Sequence, residues 1–320
     1  MRFRLILFVA SWFVVFAAAR PAPAQFKQAD EKGPKLGQSQ VLRWQAGLII
    51  KATSGACKGI EAYAPVPGEW PEQDVKIDQE DFSPSAKVEY LDADGGVKVM
   101  LIKISYLPPG EESKALATFE IRRSAQLLPD DTSIYVIPNK RKLDRSMLRY
   151  LGTSPFIETR HSKIRSLAKK LGKDKKTAWE QVEAIYDHVR EHVKQKQAPL
   201  AGGLAALRSG EGSHEDMVSL FVALCRAAGV PARTVWIPGH CYAEFYLADG
   251  EGKGHWFPCQ VAGARAFGEM NEFRPILQKG DNFRPPYDRR DQQRFMAVHL
   301  SVADTASKPR VKFVHKTVSE

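Results

Sequence analysis

Eight histidines and four cysteines carry most of the nucleophilic and metal-binding potential of this 320-residue sequence. His188 and His192 stand four apart with Glu191 between them, the inverted H-x-x-E-H order that places two imidazoles on one helical face in some zinc proteases. The H-E-x-x-H glutamate is missing because residue 189 is valine, and no third ligand is in view, so the pair reads as histidines on a solvated face. The cysteines at 57, 225, 241 and 259 contain no C-x-x-C pair and hence no zinc-site spacing. Nothing in the sequence calls for a metal or a cofactor.

The elements that must position these side chains come in two runs. Segments at 44–53, 59–64, 74–78, 87–91, 97–104 and 114–121 are rich in β-branched and aromatic residues. Turn signals separate them, among them Pro65-Val66-Pro67, Asp94-Gly95-Gly96 and Pro108-Pro109-Gly110. Six short strands at this spacing predict an antiparallel β-sandwich over 41–137 with no titratable cluster of its own.

After Pro138 the period becomes helical. Ile164, Leu167, Ala168 and Leu171 form one stripe, and Trp179, Val182, Ile185, Tyr186 and Val189 form another behind a Thr177–Glu180 capping pair. A glycine-rich loop over 201–212 leads to a third helix opened by Ser213 and Asp216, with Met217, Leu220, Phe221, Leu224 and Cys225 along its apolar face. Strands at 234–237, 241–247 and 255–260 follow. A hairpin centred near Gly250 pairs residues whose numbers sum to about 500, which sets His240 opposite Gln260 and Cys241 opposite Cys259. In an oxidising compartment that register predicts a Cys241–Cys259 disulfide. Residues 294–302 and 311–314 read as two more strands and are assigned to the same second domain, 138–320.

Arg2 and Arg4 precede an apolar run from Leu5 to Ala19, and Ala22-Pro23-Ala24 supplies a small-residue cleavage site. The run is shorter than the roughly 20 residues a spanning helix needs, so 1–24 reads as a secretory signal peptide. Export to the periplasm or the medium is the expected destination. No later stretch is apolar and long enough to span a bilayer. Residues 25–40 read as a flexible leader with little to bury.

Removing residues 1–24 lowers the net charge from +10 to +7. That charge is divided unevenly, with net −5 over 41–138 and net +9 over 139–197. A basic face of this kind could meet anionic polymers, although alternating lysines on a helix are also an ordinary solvated surface.

Three blocks, in order, resemble the transglutaminase-like superfamily, whose papain-type arrangement sets a cysteine at a helix start against a histidine and an acid on neighbouring strands. Gly212-Ser213-His214-Glu215-Asp216, running on to Gly229-Val230-Pro231-Ala232-Arg233, resembles the family's G-x-C-x-D start and G-[IV]-P-A-R exit. Gly239-His240-Cys241-Tyr242-Ala243-Glu244 is similar to its G-H-A-W-x-E strand, and Trp256-Phe257-Pro258-Cys259-Gln260 to its W-x-x-x-D strand. The resemblance implies an α+β fold: an N-terminal antiparallel β-sandwich, then a transglutaminase-like domain of helices packed on an antiparallel sheet, with its core motifs within 177–260.

Carried over by position, the family's catalytic cysteine falls on His214, its histidine on His240 and its aspartate on Gln260. An amide can still orient His240, because the third residue only has to fix the ring's tautomer. An imidazole at 214 cannot serve as a thiolate nucleophile. The resemblance therefore implies a degenerate member that binds a peptide, a protein or an anionic envelope polymer in the former catalytic cleft, edged by Trp236, Tyr242 and Trp256. The alternative is a hydrolase or acyl-transferase using His240 and Gln260 with a non-cysteine nucleophile, or with a metal held by His214 and His240 and helped by Gln260 or Glu215.

Overall fold

The structure is a computed structural model that describes residues 32–318, so residues 1–24, expected to be a signal peptide, lie outside the described residues. Trp44, Ala46, Leu48 and Ile50 recur at every second position, a period that turns one face of a strand inward. They lie in β1 (Lys35–Lys51), followed by β2 (Cys57–Val66), β3 (Gln73–Phe82), β4 (Lys87–Asp92), β5 (Lys98–Leu107) and β6 (Glu112–Leu127). All six expected strands are present. The expected leader is shorter than 25–40, because Lys35 already pairs with Leu127 and a bulge between Leu36 and Ser39 keeps the ladder running.

The second half opens with the short helix α1 (Arg145–Leu148), then α2 (Ser162–Gly172) and α3 (Ala178–His192). Next come β7 (Lys194–Gln195), α4 (Gly203–Ser209), β8 (Glu211–Gly212) and α5 (His214–Ala227). The strands β9 (Ala232–Ile237), β10 (His240–Ala248), β11 (Gly254–Gln260), β12 (Ala266–Phe267) and β13 (Gln278–Lys279) complete this half, before β14 (His299–Thr305) and β15 (Arg310–Val318). The glycine-rich stretch is therefore not all loop. It holds α4, seated so closely on α5 that a Cβ at Gly203 would meet the backbone of Leu220 at 2.8 Å.

Strands β12-β11-β10-β9-β13 form one antiparallel sheet, and α5 packs on the face presented by Cys241, Ala243, Phe245 and Leu247. The sandwich consists of two four-stranded sheets, β15-β1-β6-β3 and β14-β2-β5-β4. Ile50, Ile60, Ile102, Phe119 and Ile121 are buried in the sandwich core. Each such side chain contributes about 1.5–3 kcal/mol by leaving water.

Two expectations are corrected by the strand ladders. The last two strands do not belong with 138–320: β14 pairs with β2 and β15 with β1, so the chain returns to finish the sandwich. Edge strands present unpaired backbone groups, and these two cover one edge of each sheet.

The β10–β11 hairpin is also shifted. Ala248 faces Gly254 and Ala243 faces Cys259, so paired numbers sum to 502. Asp249 causes the shift, since its Oδ1 accepts from the backbone N–H of Glu251 and of Lys253 and so lengthens the turn. Cys241 and Cys259 become diagonal neighbours, about 7–8 Å apart in such ladders and past the reach of a disulfide. All four cysteines are free and buried.

The two halves are joined by buried charge. The Lys279 ammonium donates to Glu72 of the first half and Glu244 of the second, both at 2.5 Å, and Arg233 donates to Glu244 at 2.7 Å. Arg123 donates to the Tyr242 hydroxyl at 3.1 Å. Gln73 exchanges hydrogen bonds with the backbone of Ile276.

Candidate active-site cleft

The start of α5 is held by a reciprocal cap: Ser213 Oγ accepts from the Asp216 N–H, and Asp216 Oδ2 accepts from the Ser213 N–H. Asp216 Oδ1 also takes the backbone N–H groups of Ala201 and Gly202, fastening the glycine-rich segment to the helix start. Burial pushes this carboxyl upward, but its donors outweigh burial and hold it below the ordinary range. The cap leaves His214, the first helical residue, half-buried at the helix mouth.

His240 opens β10 and Gln260 closes β11, and the structure brings both to His214. The rings of His214 and His240 lie 4.8 Å apart, centroid to centroid, inclined by 39°. Gln260 Nε2 donates to His240 Nε2 at 2.8 Å, which leaves the ring proton on Nδ1. Turning the amide over presents Oε1 instead and selects the other tautomer. Gln260 is itself anchored through its backbone carbonyl, which accepts from the Tyr186 hydroxyl at 2.9 Å and from Arg190 at 3.1 Å, both on α3. Burial first, and the His214 ring second, push His240 below its ordinary value of 6.5, with the Gln260 bond opposing them. At neutral pH His240 is therefore an uncharged, oriented imidazole able to accept a proton.

Residues without a sequence signal complete the cleft. Glu272 and Arg274 pair at 2.6 Å beside His240, and Arg274 donates to the Pro238 carbonyl. Arg294 lies 3.4 Å from Glu215 and donates to Ser219 Oγ at 3.3 Å, along the first turns of α5. Its guanidinium sits over the rings of Trp236, at 5.0 Å, and Phe156, at 5.7 Å. Phe156 is 42% exposed yet holds φ at +66°, a left-handed conformation costly for a bulky residue.

The aromatic edge expected from the sequence is not there. Tyr242 is fully buried against Arg123, and Trp236 lies beneath Arg294 and Phe295 with its indole N–H on the Gly280 carbonyl. Trp256 stacks on Arg233 at 4.0 Å, lining a separate cleft of about 970 Å³ at the domain interface that includes none of the three site residues.

His188 and His192 stack on each other at 3.9 Å on α3. Among the described residues no three His, Cys, Asp or Glu side chains converge as a metal would require, either there or around His214. No thiol stands at this site: burial pushes Cys225, Cys241 and Cys259 upward, and all three are closed to solvent.

Comparison with known proteins agrees with this geometry. The model of the transglutaminase-like superfamily matches residues 165–261, which run from α2 through all three site residues. The fold is similar to that of a candidate cysteine protease from Cytophaga hutchinsonii, with a TM-score of 0.58 at 14% identity over 89% of this chain and 93% of that one. A candidate protease from Parabacteroides distasonis aligns at a TM-score of 0.29 and 14% identity, over 73% of this chain and 48% of that one. No curated protein matches the sequence. The likeness to the Cytophaga protein extends over both halves of the chain, and residues 165–261 are similar to the transglutaminase-like superfamily.

Proposed function

We propose that this chain is exported and that its transglutaminase-like domain binds a peptide or protein segment at the mouth of α5 without thiol catalysis. The observation that carries the reading is the contact between His214 and His240: the ring facing the general-base histidine is another imidazole, and every thiol is buried. The start of α5 offers a peptide three kinds of contact. Phe156 supplies an exposed ring, Glu215 and Arg274 supply charge at the rim, and the oriented His240 supplies a hydrogen-bond partner.

The Gln260–His240 bond favours a second reading, in which a neutral His240 activates water for amide or ester hydrolysis. One experiment separates the two. Fluorescent peptides are titrated by anisotropy, and fluorogenic peptide amides are assayed in parallel, on the mature protein and on His240→Ala and Phe156→Ala. Binding weakened by Phe156→Ala, with no turnover, supports the binding module. Turnover abolished by His240→Ala overturns it in favour of hydrolysis.

A further inference from the structure

We propose that a groove along α2 is a second binding site, for a linear polyanion whose charges are phosphate groups. Arg165 and Lys169 stand at i and i+4 on one face of α2, about 6 Å apart along its axis, and Lys173 follows at i+8 as the residue that ends the helix. Lys170 stands beside them, and all four are exposed. They line a groove of about 950 Å³, closed by Gln181 of α3 and by Ala227 and Ala228 at the end of α5. No lining residue is acidic. Over residues 160–176 the chain has eight basic side chains and one acidic one, Asp174.

The charge of this row is not neutralised within the fold. Many exposed cations elsewhere have carboxylate partners, as Arg265 has Glu183 and Asp187, and Lys114 has Asp81, while others, such as Lys87 and Lys312, have none among the described residues. Among the described residues none of the four groove cations has one. Like charges spaced by four oppose helix formation, and the helix dipole offsets this for Lys169 and Lys170 in the last turn but not for Arg165.

The groove's chemistry narrows the occupant. None of its lining residues is aromatic, so it offers no platform for stacking nucleic-acid bases. No large apolar side chain of α2 is exposed, so α2 has nothing to insert into a bilayer. What remains is a concave row of cations, with the Ser162 and Ser166 hydroxyls and the Gln181 amide as neutral donors, suited to a flexible chain of closely spaced anions. The site is separate from the cleft at His214, because α5 runs about 21 Å between them.

The test uses the mature protein and fluorescein-labelled inorganic polyphosphate, titrated by anisotropy over a salt series. The groove variant carries Lys169→Gln, Lys170→Gln and Lys173→Gln, which keep helix propensity. A control carries Lys87→Gln, Lys312→Gln and Lys316→Gln, which remove the same charge from exposed sandwich strands. Circular dichroism confirms that both are folded. The expected result is binding that the groove variant weakens about ten-fold or more at low salt while flattening the log–log salt slope by about two. The control stays near wild type. Absence of binding by the wild-type protein, or equal losses in the two variants, overturns the site. Tighter binding of single-stranded DNA, of polyglutamate or of phosphatidylglycerol vesicles than of polyphosphate overturns the assigned ligand.

Discussion

His214 and His240 face each other across the mouth of α5 with ring centroids 4.8 Å apart, one on the first residue of a helix and the other on the first residue of a strand. Putting a thiol at 214 tests both the contact and the helix mouth. A cysteine at a helix N-terminus beside an imidazole titrates at about 3.5–7.5 instead of about 8.5. His214→Cys should therefore react with iodoacetamide at neutral pH faster than the same protein unfolded, and adding His240→Ala should slow it. Reaction at the unfolded rate, unchanged by His240→Ala, would mean that position 214 does not face His240 in solution.

The pH response of His240 follows from its surroundings. Its folded pKa lies below 6.5, so the folded state resists a proton that the unfolded chain accepts. Stability from this group is complete above about 6.5 and is lost as pH falls through the folded value. An NMR titration should place the His240 midpoint below that of a free imidazole. His214→Ala should raise it, since the second ring is one of the groups pushing it down. A midpoint at or above 6.5 in the wild type would contradict the geometry.

Glu244 makes the larger acid-side contribution. Burial pushes its carboxyl up, but Lys279 and Arg233 together outweigh burial and hold it at about 2, against an ordinary 4.5. Its stabilisation is present above about 4.5 and disappears as pH falls toward 2. Glu244→Gln leaves Lys279 and Arg233 with one buried carboxylate fewer and should cost about 3–5 kcal/mol in urea unfolding at pH 7. A loss under 1 kcal/mol would show that this cluster is hydrated rather than dry.

Phe156 tests strain against use. Phe156→Asn places a residue tolerant of positive φ in the same backbone and should raise stability by about 1 kcal/mol, while weakening the peptide binding proposed above. Unchanged peptide affinity would remove Phe156 from the binding surface.

The β10–β11 hairpin shows how far the sequence could be read and where reading stopped. The alternation of Cys241, Ala243, Phe245 and Leu247 settles which face meets α5, because a period of two has only one apolar side to bury. The register depended on one side chain, Asp249, folding back on its own turn, and no periodicity encodes that. The resulting two-residue shift separates Cys241 from Cys259, whose short side chains cannot span a diagonal. His240 and Gln260 still meet, since an imidazole and a longer amide can.

Glu272, Arg274, Arg294 and Phe156 were illegible for a different reason. Each reaches the cleft from a segment whose local sequence carries no period or motif, and only the tertiary fold brings them together.

The return of β14 and β15 to the sandwich bears on the order of events as the chain emerges. Residues 35–127 are synthesised first, but their sheets each lack a strand until the last twenty or so residues appear. The second domain, whose β9–β10 and β10–β11 ladders are local hairpins, is free to condense earlier, held as a loop between two halves of an unfinished partner. A ribosome stall or a protease nick before residue 299 would therefore release a chain with a formed cleft and an open sandwich, exposing the edges of β1 and β2 to other chains.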